Sequence, residues 1–386
     1  MGNRFLALLK QNSLAAYGFF TALVFGVYGA FLGGGYFLDD DILIHHTLQD
    51  ALFSPLGNYH FRPLWGLSIY LTNLVVHNPV LDRFWNYLLL GGFLLLVFRF
   101  WDRVLANTQT ALMGTLFILI LPTIPYHAVW ISGRQDLLMG IFFLAAFHYF
   151  ELKRPGPGVV YLMLALLSKV TVLLSPLYFI GSLFRQGQRR LAWVLSGGFL
   201  GVAGLSLLKL GQHHVAQTHL LHLPLMLRLA NMAAHVGEFC LTLIFPIPFF
   251  SSVWHGALYV LGLCLILGSV RLDWSKGRPD FLILFILISA TTVVTPELRI
   301  ATLNILFLLA YVLTCPRTIR HPRVLKVGLG LVFAALLIAT LTVSKLLIQN
   351  TNRDPSKPYQ GSGALYANGY YGEKRTLLIG LKNRFW

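Results

Sequence analysis

Three aspartates, Asp39, Asp40 and Asp41, stand side by side in "YFLDDDILIHH" (residues 36–46), although the chain of 386 residues holds only 14 Asp and Glu. The stretch follows an apolar segment long enough to cross a bilayer. Adjacent carboxylates repel one another, and beside lipid each is costly to ionise unless a cation or a proton compensates it. A carboxylate there can act as a general base toward a hydroxyl group. The alternative is a solvated acidic loop without chemistry.

Four basic residues with apolar neighbours are candidate partners of this acidic cluster. They are Arg62 in "YHFRPLW", Arg134 in "WISGRQDLL", Lys169 in "LALLSKVTVLL" and Arg299 in "TPELRIA". Arginine binds phosphate or carboxylate through its planar fork, and an ionisable residue within an apolar segment is a functional candidate by default. Together they predict a carboxylate base beside a cationic cradle for a leaving phosphate. For Lys169 the alternative is a side chain that snorkels to the membrane interface.

Histidines near the acidic cluster form a second set of candidates. His45 and His46 share its loop, where imidazoles could bind substrate hydroxyls or tune the base. A separate group in "GQHHVAQTHLLH" has loose spacing without Cys or Glu partners: His213, His214, His219 and His222. Such spacing leaves a divalent metal as an alternative, but the sequence predicts no metal and no other cofactor. The three cysteines show no paired spacing and hence no disulfide or zinc signature.

The composition indicates the elements that must position these residues. Hydrophobic residues make up 56% of the chain and charged residues 11%, against about 25% charged in a typical soluble domain. We therefore expect an integral, multi-pass membrane protein. The 30 Lys and Arg occur in short clusters between apolar runs, which is typical of cytoplasmic loops, and no continuous basic stripe for nucleic acid is present.

The predicted fold is all-α, with about eleven membrane crossings (ten to thirteen). The basic clusters assigned to the cytoplasmic side are 99–103, 151–154, 185–190, 271–278 and 315–323. The predicted helices are 14–34, 84–101, 109–128, 136–151, 158–169, 170–184, 191–209, 256–271, 279–294, 300–315 and 324–348. This transmembrane domain covers residues 1–348, with a first extracytoplasmic loop at about 35–62 and a polar extracytoplasmic tail at 349–386. Two apolar stretches, 63–77 and 224–250, do not fit the count, and 158–184 could instead be two half-helices with Lys169 at their apex.

The order of the motifs resembles that of GT-C superfold membrane glycosyltransferases. The segments that carry the likeness are "FLDD", "FRPLWGLSIYL", "HAVWISGRQDLLMGIFF", "LALLSK" with Thr171, and "PELRIATLN", over roughly residues 30–315. "WISGRQDLL" is the most specific of them. The closest likeness is to protein mannosyltransferases and to the membrane half of tetratricopeptide-bearing O-mannosyltransferases.

The resemblance implies an inverting transfer of a sugar from a polyprenyl-phosphate-sugar donor to an acceptor at the extracytoplasmic face. Asp39 and Asp40 match the acidic pair of the first loop, with Asp40 slightly favoured as the base. Arg134 and Arg299 match basic positions of later motifs, where contact with the donor phosphate is plausible. The expected substrate-binding set is Asp41, His45, His46, Arg62, Arg134, Lys169, Glu297 and Arg299.

The expected partners are the lipid-linked donor, membrane lipids and a glycan, lipid or protein acceptor, with no nucleic acid. The expected location is a bacterial inner membrane. A transporter or flippase of lipid-linked sugars is the rival interpretation, because charged residues could also line a translocation pathway. A transporter would distribute charges through mid-membrane positions of both halves of the chain. Here the candidate residues gather at one predicted face, which favours chemistry at that face.

Overall fold

The computed structural model describes residues 2–33, 47–53, 61–75, 78–212, 253–294 and 302–351. Several predicted features lie outside these ranges: Asp39, Asp40, Asp41, His45, His46, Glu297, Arg299, the histidines of 213–222, the stretch 224–250 and the tail from residue 352. Arg62, Arg134 and Lys169 lie within them.

The described ranges are mostly helical, which confirms the all-α fold class. The helices are α1 (Gly2–Gln11), α2 (Ser13–Tyr28), α3 (Leu48–Phe53), α4 (Pro63–Val75), α5 (Pro79–Leu105), α6 (Thr108–Leu119), α7 (Ile124–Ala128), α8 (Arg134–Glu151), α9 (Pro155–Ser168), α10 (Pro176–Arg185), α11 (Arg189–Gln212), α12 (Val253–Ser269), α13 (Pro279–Val294), α14 (Thr302–Thr314) and α15 (Pro322–Thr351). Two three-residue strands, β1 (Val270–Leu272) and β2 (Arg317–Ile319), pair antiparallel.

Two of the predicted helices are interrupted. The predicted helix 109–128 ends at Leu119, and the short helix α7 follows after a turn that contains Pro122. The predicted helix 170–184 begins only at Pro176, after a 3₁₀ turn at Val170–Val172. Both differences have one physical cause, since proline has no N–H for the helix ladder and is best accommodated in the first turn of a new helix. Of the unassigned stretch 63–77, residues Pro63–Val75 form α4.

Two helical segments in the described ranges are long and apolar enough to cross a bilayer, Ser13–Phe31 and Pro322–Lys345. Five shorter apolar helices of 10–17 residues accompany them. By length and composition alone, the helices therefore do not establish the predicted eleven crossings.

Four of the five predicted basic clusters lie together at one end of the described helices. Arg103, near the end of α5, donates to the carbonyl oxygen of His148 in the last turn of α8 at 3.2 Å. Arg278 contacts Glu151 at 3.3 Å, and the pairing of β1 with β2 joins the segments before and after these charges. We call this the basic end, formed by residues 99–103, 148–154, 270–280 and 315–320. The amino ends of α5, α8 and α14 lie at the other end, called the polar end.

The exposed Asp273 shows how the turns of the basic end are stabilised. Its carboxylate accepts a hydrogen bond from Ser275 Oγ at 2.7 Å and pairs with Lys276 at 3.0 Å. The bond from Ser275 and the neighbouring ammonium group hold the pKa of Asp273 below its usual value.

Apolar rings within and beside the basic end pack four helices together. The rings of Phe147, Phe281 and Phe307 pack edge-on around Phe100 of α5, with centroids 5.6–5.7 Å from it. These contacts tie α5 to α8, α13 and α14. Because interiors are close-packed, such packing holds these helices in a fixed geometry.

Glycines bring α12 and α15 into close contact. A Cβ on Gly262 would lie 2.9 Å from the carbonyl oxygen of Gly328, and one on Gly328 would lie 2.8 Å from that of Gly262. Small residues at such a crossing let two backbones approach, a packing typical of helices in membranes.

Candidate functional site

The first turn of α8 carries three consecutive buried polar residues, Arg134, Gln135 and Asp136. Successive residues of a helix diverge by about 100°, so each side chain contacts a different part of the protein. Arg134 reaches α4 and α5, Gln135 reaches Arg62, and Asp136 reaches Lys169. This turn is therefore the point at which the polar end is assembled.

Arg134 is fully engaged by protein acceptors. Its Nε donates to Asn86 Oδ1 at 2.9 Å, and its Nη1 donates to the Ser68 carbonyl oxygen and to Thr72 Oγ1, both at 3.0 Å. Its Nη2 donates to Asp82, to the carbonyl oxygen at 3.1 Å and to the carboxylate at 2.9 Å. A guanidinium has five N–H donors, and these five contacts use all of them.

Asp82 closes this first network. Its carboxylate also accepts a hydrogen bond from Thr72 Oγ1 at 2.7 Å. The side chains of Arg134 and Asp82 are 1% and 2% exposed, so the ion pair lies out of contact with water. The pair clamps the amino ends of α5 and α8 to the side of α4.

Asp136 forms a second buried ion pair. Its Oδ1 accepts a hydrogen bond from Lys169 Nζ at 2.8 Å, with side chains 3% and 1% exposed. Its Oδ2 has no hydrogen-bond partner among the residues that the structure describes and lies 3.9 Å from His127 Nδ1. The other imidazole nitrogen, Nε2, lies 3.1 Å from Thr302 Oγ1, which contacts Thr123 Oγ1 at 2.9 Å.

A small cavity lies beside Asp136. Its lining includes His127, Met139 and Thr302, and the centre of a water molecule can occupy about 10 Å³ of it. A separation of 3.9 Å between two polar atoms is one that a water molecule can bridge. The cavity therefore has room for one water molecule that could donate a hydrogen bond to Asp136 Oδ2.

The backbone before α8 is shaped for this geometry. A Cβ on Gly133 would overlap the carbonyl oxygen of Tyr126 and lie 2.8 Å from His127 Cα. Asn86 Nδ2 donates to three carbonyl oxygens of the same segment, those of His127, Trp130 and Ile131, at 3.0–3.4 Å. Glycine at position 133 thus permits the tight approach that places His127 near Asp136.

Lys169 lies at a break between helices. The helix α9 ends at Ser168, and Lys169 adopts an extended backbone (φ −162°, ψ 138°) before the 3₁₀ turn. The break between helices that the half-helix alternative placed at Lys169 is therefore present. The snorkelling alternative does not describe this side chain, because it is 1% exposed and directed at a buried carboxylate.

Arg62 differs from the other two cations. It is 3% exposed, its Nη1 donates to Gln135 Oε1, and its Cζ lies 6.0 Å from the centroid of the Trp65 ring. Arg62 Nε and Trp65 Nε1 are both buried and have no hydrogen-bond acceptor in the described part of the chain. Among the same residues, Arg62 forms no ion pair with a carboxylate. Two neighbouring buried donors thus lack an acceptor within the described ranges.

The structure brings Arg62, Arg134 and Lys169 to the same turn of α8, although they are far apart in sequence. Each N–H group of Arg134 already has a protein acceptor, which argues against the expected contact with a phosphate but does not test it. The prediction missed the anionic partners Asp82 and Asp136. Asp136 stands in "WISGRQDLL", two residues after Arg134, where a charge within an apolar run was a usable signal.

No metal cluster is found in the described ranges, where no three His, Cys, Asp or Glu side chains group as metal ligands. Cys264 is exposed, Cys315 is buried, and both are free thiols.

Comparison of the chain with known protein families, with characterised proteins and with solved structures found no match.

Proposed function

We propose that the protein is an inverting glycosyltransferase of GT-C type that moves a sugar from a polyprenyl-phosphate-sugar donor to an envelope acceptor. The observation that carries the proposal is the buried guanidinium of Arg62, which has an unsatisfied N–H and no carboxylate partner among the described residues. The motif resemblance supplies the reaction class.

A buried cation without a counter-charge is costly, and a bound anion removes that cost. Phosphate oxygens fit this site, because arginine donates charge-assisted hydrogen bonds to them and the indole N–H of Trp65 adds a neutral donor. Lys169 and Arg134 are already neutralised by Asp136 and Asp82. Arg62 is therefore the described cation best suited to the donor phosphate, with Gln135 holding it in position.

In the proposed reaction, Asp40 or Asp39 takes the proton of the acceptor hydroxyl. The acceptor oxygen forms a bond to the anomeric carbon from the face opposite the phosphate. The bond between that carbon and the phosphate oxygen breaks, and the phosphate leaves with the electron pair. Arg62 stabilises the charge that develops on the leaving oxygen, which is the catalytic effect of a preorganised cation.

The proposal includes a multi-pass placement, with about eleven crossings, in a bacterial inner membrane. Asp82 and Arg103 lie 21 residues apart on α5, about 32 Å at the helical rise, which is close to the hydrocarbon thickness of a bilayer. Large apolar side chains are exposed on several helices, including Trp193, Leu200, Trp254 and Leu267. Soluble monomers rarely expose extensive apolar surface, so a lipid environment accounts for them.

The rival, a flippase of lipid-linked sugars, is less well supported. The buried core residues of α5 between Asn86 and Arg99 are apolar, and those of α8 between Asp136 and His148 are apolar or glycine. A translocation pathway needs polar groups near mid-membrane. In these two helices, charge is confined to the ends.

The test is transfer of radiolabelled sugar by the purified protein in nanodiscs. Synthetic polyprenyl-phosphate-sugars with different labelled sugars serve as donors, and envelope fractions of cells lacking the protein supply the acceptor. Transfer from at least one donor, lost in Arg62→Gln and retained in the basic-end control Arg278→Gln, is expected. Absence of transfer together with protein-dependent movement of the donor between leaflets in proteoliposomes would replace the transferase with the flippase.

A further inference from the structure

A groove at the basic end, between α5 and α8, combines positive charge with an apolar floor. Its polar lining consists of Arg99, Arg103 and His148, and its other walls are aliphatic and aromatic, including Phe100 and Leu144. The empty space in it amounts to about 290 Å³ when counted out to the open solvent. The groove lies far from the proposed donor site, at the opposite end of the same two helices.

The two arginines of this groove lack carboxylate partners among the described residues. Arg99 donates to the carbonyl oxygen of Lys10 and to Ser13 Oγ, and Arg103 donates to the carbonyl oxygen of His148. Asp102 does not line the groove, since it accepts from Thr108 Oγ1 at 2.7 Å and pairs with Lys10 Nζ at 3.7 Å. Asp102 acts electrostatically on Arg99, but it forms no ion pair with either arginine among the described residues, so positive charge, above all that of Arg103, remains available to a bound anion.

The amino-terminal helix α1 places this groove at a membrane surface. The sequence of α1, "GNRFLALLKQ", combines basic and apolar residues in an amphipathic helix. Asn12 joins α1 to α2, and its side chain caps α2 by accepting hydrogen bonds from the backbone nitrogens of Leu14 and Ala15. Short amphipathic helices with basic residues lie in the headgroup region of a bilayer. The bond from Arg99 to Lys10 fixes the end of α1 beside the groove.

We infer that this groove binds the headgroup of an anionic phospholipid of the inner leaflet. The phosphodiester would accept hydrogen bonds from Arg99 and Arg103, and the first part of an acyl chain would cover the apolar floor. Basic pockets between helices on the cytoplasmic side suit this ligand, because charge and apolar contact act together. A soluble phosphate could use the same arginines but would leave the apolar floor uncovered. The inference rests on the proposed membrane placement and not on the transferase chemistry.

The experiment is a titration of the full-length protein in neutral detergent with phosphatidylglycerol, followed by the thermal unfolding midpoint. Phosphatidylcholine and inorganic phosphate are titrated in parallel. Phosphatidylglycerol alone is expected to raise the midpoint saturably. Arg103→Gln should weaken the apparent affinity about fivefold, the effect of about 1 kcal/mol per basic residue near an anionic headgroup.

The matched control is Arg185→Gln, an exposed arginine at the end of α10 and outside the groove. It should titrate like the wild-type protein. Equal weakening in both variants would reduce the effect to general surface charge, and an unchanged Arg103→Gln would remove the site. A midpoint increase produced equally by inorganic phosphate would assign the groove to soluble anions and overturn the lipid inference. Since Arg103 is exposed, its substitution should leave the fold intact, and lipid binding can fail while sugar transfer remains.

Discussion

Replacing Arg134 by Met tests whether the most deeply engaged cation of the polar end is structural. The substitution keeps the length of the side chain but removes five hydrogen bonds and leaves the Asp82 carboxylate, 2% exposed, with Thr72 as its remaining described side-chain donor. Removing one partner of a buried ion pair destabilises a protein by about 3–5 kcal/mol, because the remaining charge stays buried. We expect a loss of this size in the free energy of unfolding.

The double variant Arg134→Met, Asp82→Leu separates the contribution of the ion pair from the cost of leaving one of its charges buried alone. With both charges removed no buried charge is left over, so the double variant should be destabilised less than the sum of the two single variants by about 2–3 kcal/mol. The assay is reversible unfolding by SDS titration in mixed micelles, followed by circular dichroism. The control is Arg278→Met, whose partner Glu151 lies 3.3 Å away at a half-exposed site and where a loss below about 1 kcal/mol is expected.

A stability change in Arg134→Met no larger than in the control would refute the structural role. Strict additivity of the two single variants would refute the ion pair itself. If Arg134→Met folds normally but binds polyprenyl phosphate more weakly, the guanidinium serves the ligand as the motif resemblance implied, and the geometric argument is wrong.

Three further predictions concern the polar end and its orientation. Gly133→Val should destabilise the protein by about 1–3 kcal/mol, the cost of overpacking, because the new side chain meets the backbone of Tyr126 and His127. The control in the same SDS titration is Gly181→Val, because a Cβ at that position has nothing within 4 Å. A cysteine at Gln49, exposed on α3, should react with an impermeant thiol reagent in intact cells. A cysteine at Gln186, in the basic cluster 185–190 that is predicted to be cytoplasmic, should react only after lysis, and the reverse pattern would invert the topology. Asp40→Asn should lower turnover by about 10²-fold or more while donor binding survives, and Asp41→Asn should retain activity. If the Asn variants of all three aspartates each fully restored an envelope glycan in cells that lack the protein, the acidic cluster would have no catalytic role.

The helices were largely predictable because apolar runs and the charges between them specify where each one begins and ends. The break after Leu119 was not predicted, since residues 109–128 contain no charge and only the prolines at 122 and 125 mark the turn. The break between helices at Lys169 was predictable, because a lone cation within an apolar run is tolerated where the backbone is irregular and a partner is near.

The site was predictable only in part. Arg134 and Lys169 were identified from their apolar surroundings, but their carboxylate partners lie 52 and 33 residues away in sequence. Local spacing does not show such contacts, which arise from the packing of α5, α8 and α9. Hence the sequence could not distinguish Arg134, which is neutralised by Asp82, from Arg62, which has no carboxylate partner in the described ranges, because this difference is visible only in three dimensions.

The most direct test of the central claim is the affinity of the purified protein for synthetic polyprenyl phosphate, measured for the wild type, Arg62→Gln and Arg278→Gln. Loss of a charge-assisted hydrogen bond costs about 1.5–3 kcal/mol, so Arg62→Gln should weaken binding about 10- to 100-fold. Arg278→Gln should bind as the wild type does. Equal affinity of all three proteins would contradict the assignment of Arg62 to the donor phosphate and remove the observation on which the proposed function rests.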